Sequence, residues 1–420
     1  MLAYDLPGMV WGVILQRLGL AASARDWGNV KHGAEVRANI NALSGCDFET
    51  PPHSDTFKYQ MERMDPGEYN KALVNAFLRL RDARRLESLR FRGRFLVAVD
   101  GVEFNKAGHP SAHSCHRTLS NGGVEHFQVA LVATLVAVGS RVRLPLWVEF
   151  IENPEGDYDK QDCEYKAALR MLPRLKSALP LQRLCLLMDG LYQKADIMDM
   201  IVANGWDYMI TWKDGSAPRF SRKAHSRIAQ YPKNTLRHAD ADRLEDFECR
   251  WANRVTHRTD GGAKYRTNVL EAAGTFEWSR GNKTRFAYLV SWSINKENAL
   301  ESLACGRSRW SIETENNVQK HSELNLESPY GMRGNTSLSY FMLVMLASLV
   351  RRLMTETNCF ERILQQEHEG HAFMSDAGQA LKRAYNSTMA FMRAVCDALR
   401  NRILNIGALR DGTHIVFNSS

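Results

Sequence analysis

Two short runs in the chain close on the same dipeptide: FLVAVDG at 95–101 and LCLLMDG at 184–190. Five successive apolar residues cannot present alternate side chains to water. Each run therefore reads as a strand buried on both faces, of the kind found in the middle of a sheet covered by helices. Such a sheet opens to solvent at the carboxyl ends of its strands, where ligands and metals gather in α/β proteins. Asp100 and Asp189 are expected to stand at that edge. The local alternative is that Asp-Gly makes the turn after each strand. Two matching pairs, on strands able to lie side by side, weigh toward a site.

The flanking sequence supplies the rest of a sheet. FLVAVDGVEF, FQVALVATLVAV and LPLWVEFIE read as three strands. A helix over 161–178 follows, then LCLLMDG, a helix over 193–204 and the strand WDYMITWK. Three strands and then helix–strand–helix–strand is the order of an RNase H-like mixed sheet. The expected fold class is therefore α/β, with this sheet flanked by helices over 93–335. Residues 214–285 are polar and rich in Arg, Thr and Gly, and read as a β-rich insertion before RFAYLVSWSI returns to the core. Residues 1–92 read as a helical region, basic toward its end, with Ser54 or Asp55 capping the helix after ETPPHSDTF. Residues 336–420 read as three further helices, with dimerisation as their expected use.

At 420 residues, 44% of them hydrophobic and 24% charged, the chain is too long for one ordinary core and too apolar to be disordered. Neither MLAYDLPGMVWGVILQRLGL, which lacks a basic leader, nor YFMLVMLASLV at 340–350, which is short of a bilayer's width, reads as a signal or a span. Both are expected to be buried helices. The eight cysteines are scattered without a CxxC pair, so reduced thiols and a cytoplasmic location are expected. A formal charge of +8 suits an anionic partner such as nucleic acid without requiring one.

The segment RSRWSIETENNVQKHSEL at 307–324 predicts one helix. At roughly 100° per residue, Arg309, Glu313, Asn316 and Lys320 fall within about 60° of one another, while Trp310, Thr314 and Val318 form a separate packing stripe. A solvated face with i,i+4 ion pairs explains such an edge. A catalytic role explains it equally, once the two aspartates are considered. Phosphodiester chemistry uses two Mg²⁺ ions about 3.5–4 Å apart, one activating the attacking oxygen and one stabilising the leaving oxygen. Mg²⁺ takes few protein carboxylates and fills its octahedron with water and phosphate. Asp100, Asp189 and Glu313 would suffice, with Arg309 and Lys320 clamping phosphates.

The series VAVDG, LLMDG and R-x3-E-x6-K occurs in order with the blocks EFIENPEG…KQDCE (149–164) and MDGLYQKADIMDMIVANGWDYMITWK (188–213). Together they resemble the bacterial insertion-sequence DDE transposases of the hairpin-forming, cut-and-paste group, over about 95–335. In that family the third carboxylate lies in a Y-x2-R-x3-E-x6-K signature. Arg309, Glu313 and Lys320 match it, and Gly306 stands at the tyrosine position. The resemblance implies an RNase H-like catalytic core with a β-rich insertion before the glutamate. It implies Asp100, Asp189 and Glu313 as catalytic residues holding Mg²⁺, with Mn²⁺ able to substitute, and Arg309, Asn316 and Lys320 as DNA contacts. It further implies double-stranded DNA as partner, at inverted-repeat ends and target, a homodimer on that DNA, and cleavage followed by strand transfer. A tryptophan of the insertion stabilises a flipped base in some relatives; Trp292 or Trp278 would play that part here, the alternative for either being a core role.

Two other functions stay open from sequence: an RNase H-like nuclease without strand transfer, and a domesticated DNA-binding protein without chemistry. His109, His113, Cys115 and His116 invite a zinc reading, but lack the separated ligand pairs of a structural site and are expected to form a polar loop. Glu149, Glu152, Asp162 and Glu164 are spare carboxylates, read mostly as surface or supporting groups. Lys194 and Asp196 are placed to orient Asp189. There is no P-loop, so no nucleotide cofactor is implied.

Overall fold

The computed structural model describes residues 5–20, 24–111, 113–153, 162–258, 264–279, 281–317, 326, 331, 333–357, 400 and 417. The expected Lys320, the second half of the predicted 307–324 helix and the helices expected beyond 357 lie outside the described residues.

The chain begins with helices α1 (Leu6–Leu15), α2 (Ala24–Val30), α3 (Ala34–Ser44), α4 (Ser54–Arg63) and α5 (Glu68–Asp82). α3 ends on Gly45 in the left-handed conformation, φ 72°. α4 is capped one residue earlier than expected: His53, not Ser54 or Asp55, is the N-cap, its Nδ1 accepting from the Asp55 N–H at 3.3 Å. α5 buries Tyr69, Leu73, Val74, Phe77 and Leu80, a stripe at helical spacing.

Then come β1 (Phe95–Ala107), β2 (Cys115–Thr118), β3 (Val124–Val136), β4 (Arg143–Phe150), α6 (Glu164–Ala178), β5 (Leu184–Met188), α7 (Ala195–Ala203) and β6 (Asp207–Thr211). The sequence continues through α8 (Pro218–Gln230), β7 (Thr235–Asp240), β8 (Glu245–Arg258), β9 (Lys264–Thr275), β10 (Lys283–Val290), α9 (Ala299–Arg307), α10 (Trp310–Asn317) and α11 (Thr336–Glu356). All ten strands form one mixed, mostly antiparallel sheet of order β2-β3-β1-β5-β6-β10-β9-β8-β7, with β4 also paired to β3. The parallel pairs are β1–β5 and β5–β6. They carry the two runs read as doubly buried strands: Phe95 to Val99 and Leu184 to Met188 are all 0% exposed.

The segment expected to be a β-rich insertion supplies β7, β8 and β9, which continue the central sheet through β10. It also contains α8, a helix the sequence reading did not separate from its polar surroundings. PRFSRKAHSRIAQ buries only Phe220, Ser221, Ala224 and Ile228, a stripe too narrow to stand out.

α11 is long and apolar enough by composition to cross a membrane, yet 83% of its apolar window is buried in the protein. Phe341 contacts Phe104 of β1 at 4.5 Å and Phe150 of β4 at 5.8 Å between ring centroids. Asn70 of α5 satisfies the backbone of β4, donating to the Val148 carbonyl at 2.9 Å and accepting from its N–H at 2.8 Å. A side-chain amide thus takes the place of a neighbouring strand.

Candidate active site

β1 pairs with β5 only as far as Ala98 with Leu187. Carried on two residues, that register sets Asp189 beside Asp100. Asp100 does not end its strand, as expected, because β1 continues to Ala107 against β3. It stands instead where β5 stops and leaves β1 unpaired on that side. At Asp189 the strand does end: the carboxylate caps a turn over 190–192, its Oδ1 accepting from the Leu191 N–H at 2.7 Å. The Asp-Gly turn reading therefore holds at 189–190 and not at 100–101.

The predicted helix over 307–324 is broken at its start. α9 ends at Arg307, and a turn through Ser308 and Arg309 leads into α10 at Trp310. Ser308 Oγ donates back to the Ala304 carbonyl at 3.0 Å, and Ser311 Oγ to the Ser308 carbonyl at 2.7 Å. The guanidinium of Arg143, at the start of β4, holds the Ser311 carbonyl at 3.0 Å. So anchored, α10 turns its polar edge inward. Arg309, Ile312 and Asn316 are buried, whereas Trp310, expected on the packing face, is 40% exposed. Asn316 Nδ2 donates to Asp100 Oδ2 at 3.0 Å, and Arg309 Nη2 to Glu313 Oε1 at 2.6 Å. The helix thus supplies the Asp100 carboxylate with a nitrogen donor and brings Glu313, whose side chain is half-exposed, to the same edge.

A fourth carboxylate joins them. Glu164 opens α6 and lies over Gly101, where an added Cβ would come 2.3 Å from its Oε1. Its Oε2 accepts from the Tyr192 hydroxyl at 3.2 Å. Burial pushes the Asp100 carboxyl up to about 6; Arg309 opposes this, and Glu164, Glu313 and Asp189 reinforce it, Glu164 most strongly of the three. Burial raises Glu164 as well, with Asp189 adding and the Tyr192 hydrogen bond opposing. The sequence reading had counted Glu164 only among spare carboxylates.

Other expected residues lie elsewhere. Trp292 is half-buried: its indole N–H donates to Ser302 Oγ at 3.0 Å and its ring lies 5.9 Å from Phe91. Trp278 is 46% exposed, packs edge-on to Trp310 at 5.7 Å, and helps line a cavity of about 760 Å³ with Arg141, Arg243 and Arg307. Gly306, at the position of the signature tyrosine, is filled from outside, a Cβ there meeting the Tyr288 ring at 2.6 Å. Asp196 pairs with the Tyr165 hydroxyl rather than orienting Asp189. Cys115 is buried and its sulfur accepts from Asn153 at 3.3 Å, while His116 faces solvent.

All the donors at the sheet edge are carboxylate oxygens, which suit Mg²⁺ or Mn²⁺ in kind. Among the described residues no three His, Cys, Asp or Glu side chains stand close enough to hold one ion as placed. No family model matches the chain, and a search of curated proteins finds no significant match.

Proposed function

We propose that the chain is a DDE-type DNA transposase, a polynucleotidyl transferase that cleaves double-stranded DNA at the inverted-repeat ends of an insertion sequence and joins them to target DNA. The observation that carries this reading is the bond from Asn316 to Asp100. It lays the helix bearing Glu313 across the edge where adjacent parallel strands bring Asp100 and Asp189 together. The partial order β4-β3-β1-β5-β6, with β1, β5 and β6 parallel, supports an RNase H-like core.

Asp100, Asp189 and Glu313 would hold the divalent ions, Mg²⁺ or Mn²⁺, which when bound supply an activated oxygen nucleophile and stabilise the leaving oxygen. Arg309, 7% exposed, keeps the Glu313 carboxylate in place and offsets negative charge at Asp100. Asn316 holds the Asp100 carboxylate by its amide N–H. Lys320 remains the phosphate contact that the resemblance implies, and Trp278, with its exposed ring and arginine neighbours, is better placed than Trp292 to stack on a base. End recognition is assigned to 1–92 and pairing of two copies on DNA to 336–420.

The test is cleavage of DNA carrying the repeats that flank the gene. Asp100→Ala, Asp189→Ala and Glu313→Ala should each lower Mg²⁺-dependent cleavage by more than the roughly 10–100-fold typical of losing an outer-shell partner, with end binding retained. Any one of them cleaving at the wild-type rate removes that residue from the triad. Nicks without joined products would make the protein a nuclease, and binding without nicks a DNA-binding protein.

A further inference from the structure

Asp189 has a cationic neighbour contributed by the next strand. Lys213 lies just beyond β6, and its stem runs back over Gly190: a Cβ there would come 2.8 Å from Lys213 Cδ, 2.9 Å from its Cγ and 3.1 Å from the Thr211 carbonyl oxygen. Residue 190 must lack a side chain for the lysine to take this path. The Lys213 N–H donates to Gln193 Oε1 at 3.4 Å, which fixes the root of the side chain. At its tip, Nζ reaches Asp189 Oδ2 at 3.4 Å.

The Lys213 side chain is 57% exposed and that of Asp189 31%. An ion pair so open to water holds weakly, although the backbone beneath it is shaped to guide the lysine there. A weak contact with a guided approach suits an exchangeable partner better than a structural tie. The ammonium is a compact point charge on a flexible stem, able to exchange a carboxylate for a phosphate without rebuilding its surroundings.

We propose that Lys213 is an exchangeable counter-ion of Asp189: it neutralises the carboxylate until a divalent cation takes it, and then binds a DNA phosphate beside the site. This rests on reading Asp189 as a cation ligand. Because cation and ammonium compete for the same carboxylate, losing Lys213 should strengthen metal binding, a direction that no loss of packing produces.

The experiment measures Mn²⁺ binding to the full chain without DNA, from the free-ion paramagnetic resonance signal, in the wild type and in Lys213→Met, Lys213→Arg and Asp189→Asn. Lys213→Met should bind Mn²⁺ about three- to tenfold more tightly, since one unit charge at contact distance is removed. Lys213→Arg should stay near wild type and Asp189→Asn should bind more weakly. In salt titrations of DNA binding with Ca²⁺ present, Lys213→Met should flatten the slope by about one. Unchanged Mn²⁺ affinity in Lys213→Met, with Asp189→Asn still weakened, overturns the exchange and leaves the site reading standing. Wild-type Mn²⁺ affinity in Asp189→Asn overturns both. An unchanged salt slope overturns the phosphate half.

Discussion

Without a divalent ion, Asp100 is an acid held against its inclination to ionise. Its carboxyl is pushed from an ordinary 3.8 up to about 6, chiefly by burial. The folded value lies above the unfolded one, so the folded protein binds this proton more tightly. The resulting stability is whole below pH 3.8 and is lost as pH rises through 6, a difference of about 3 kcal/mol at about 1.4 kcal/mol per pH unit. The metal-free protein should therefore melt at a lower temperature at pH 7.5 than at pH 5, and Asp100→Asn should remove part of that fall. Thermal scans at the two pH values check this, and parallel wild-type and variant curves would show an aspartate with ordinary titration. The residues around Asp100 show how far the site was legible. Asp100 and Asp189 could be read because each closes an apolar run. Glu164 and Lys213 could not be assigned their places, because each comes near its aspartate only through the tertiary fold. Their only local trace is a glycine: Gly101 makes room for the Glu164 carboxylate and Gly190 for the stem of Lys213. From sequence, the turn after each strand was the alternative reading of both Asp-Gly pairs.

The helix α10 was recognised but its rotation was not. Apolar-stripe reasoning assumes that the buried face is the apolar one, which put Trp310 inward. Here the neighbouring surface is a row of carboxylates, and nitrogen donors are worth more there than hydrocarbon. Asn316 and Arg309 are drawn in, and Ile312 is 0% exposed within an apolar cluster. Trp310 is left on the far side, against Trp278 and 5.1 Å from Phe286. The two orientations predict opposite mutational costs. In the observed one, Ile312→Ala should destabilise by about 2–5 kcal/mol, as large-to-small changes in a core do. Trp310→Ala, at a partly exposed ring, should cost less. Urea unfolding midpoints at constant m-value decide between them, and a larger loss in Trp310→Ala would restore the expected face. The α9–α10 break was illegible for a related reason. Serines bonding back onto carbonyls one turn earlier compete with helix propagation without the glycine or proline that marks most breaks.

At the scale of the whole molecule, the succession of long strands and helices between 95 and 211 was readable, because those patterns are local, whereas the continuation of the same sheet through β7, β8 and β9 was not. The relation of the N-terminal helices to the core was equally illegible, because it depends on α11: Ser339 Oγ donates to the Met61 carbonyl, 278 residues earlier in the chain, at 3.0 Å. Val13, Trp27, Phe57, Met61, Leu73 and Phe77 belong to the same apolar cluster as Phe95, Phe104 and Phe341, and Phe77 meets Phe95 edge-on at 5.2 Å. A protein beginning at residue 93 would expose the face of α11 that these helices cover. It is expected to aggregate or to bind the dye ANS without a cooperative melt, as loosely packed states do, so deletion cannot test whether 1–92 recognises DNA ends. Surface charge can. Arg79 and Arg84, near the end of α5, are exposed, and replacing both with Ser should leave the melt intact. If this region meets the duplex, each lost phosphate contact flattens the salt dependence by about 0.9, and preference for the ends over random DNA should fall in a competition assay. A cooperative melt in the protein beginning at 93 would separate these helices from the core after all. Full end preference in the double variant would move recognition to the strands after residue 214 or to the segment after 336.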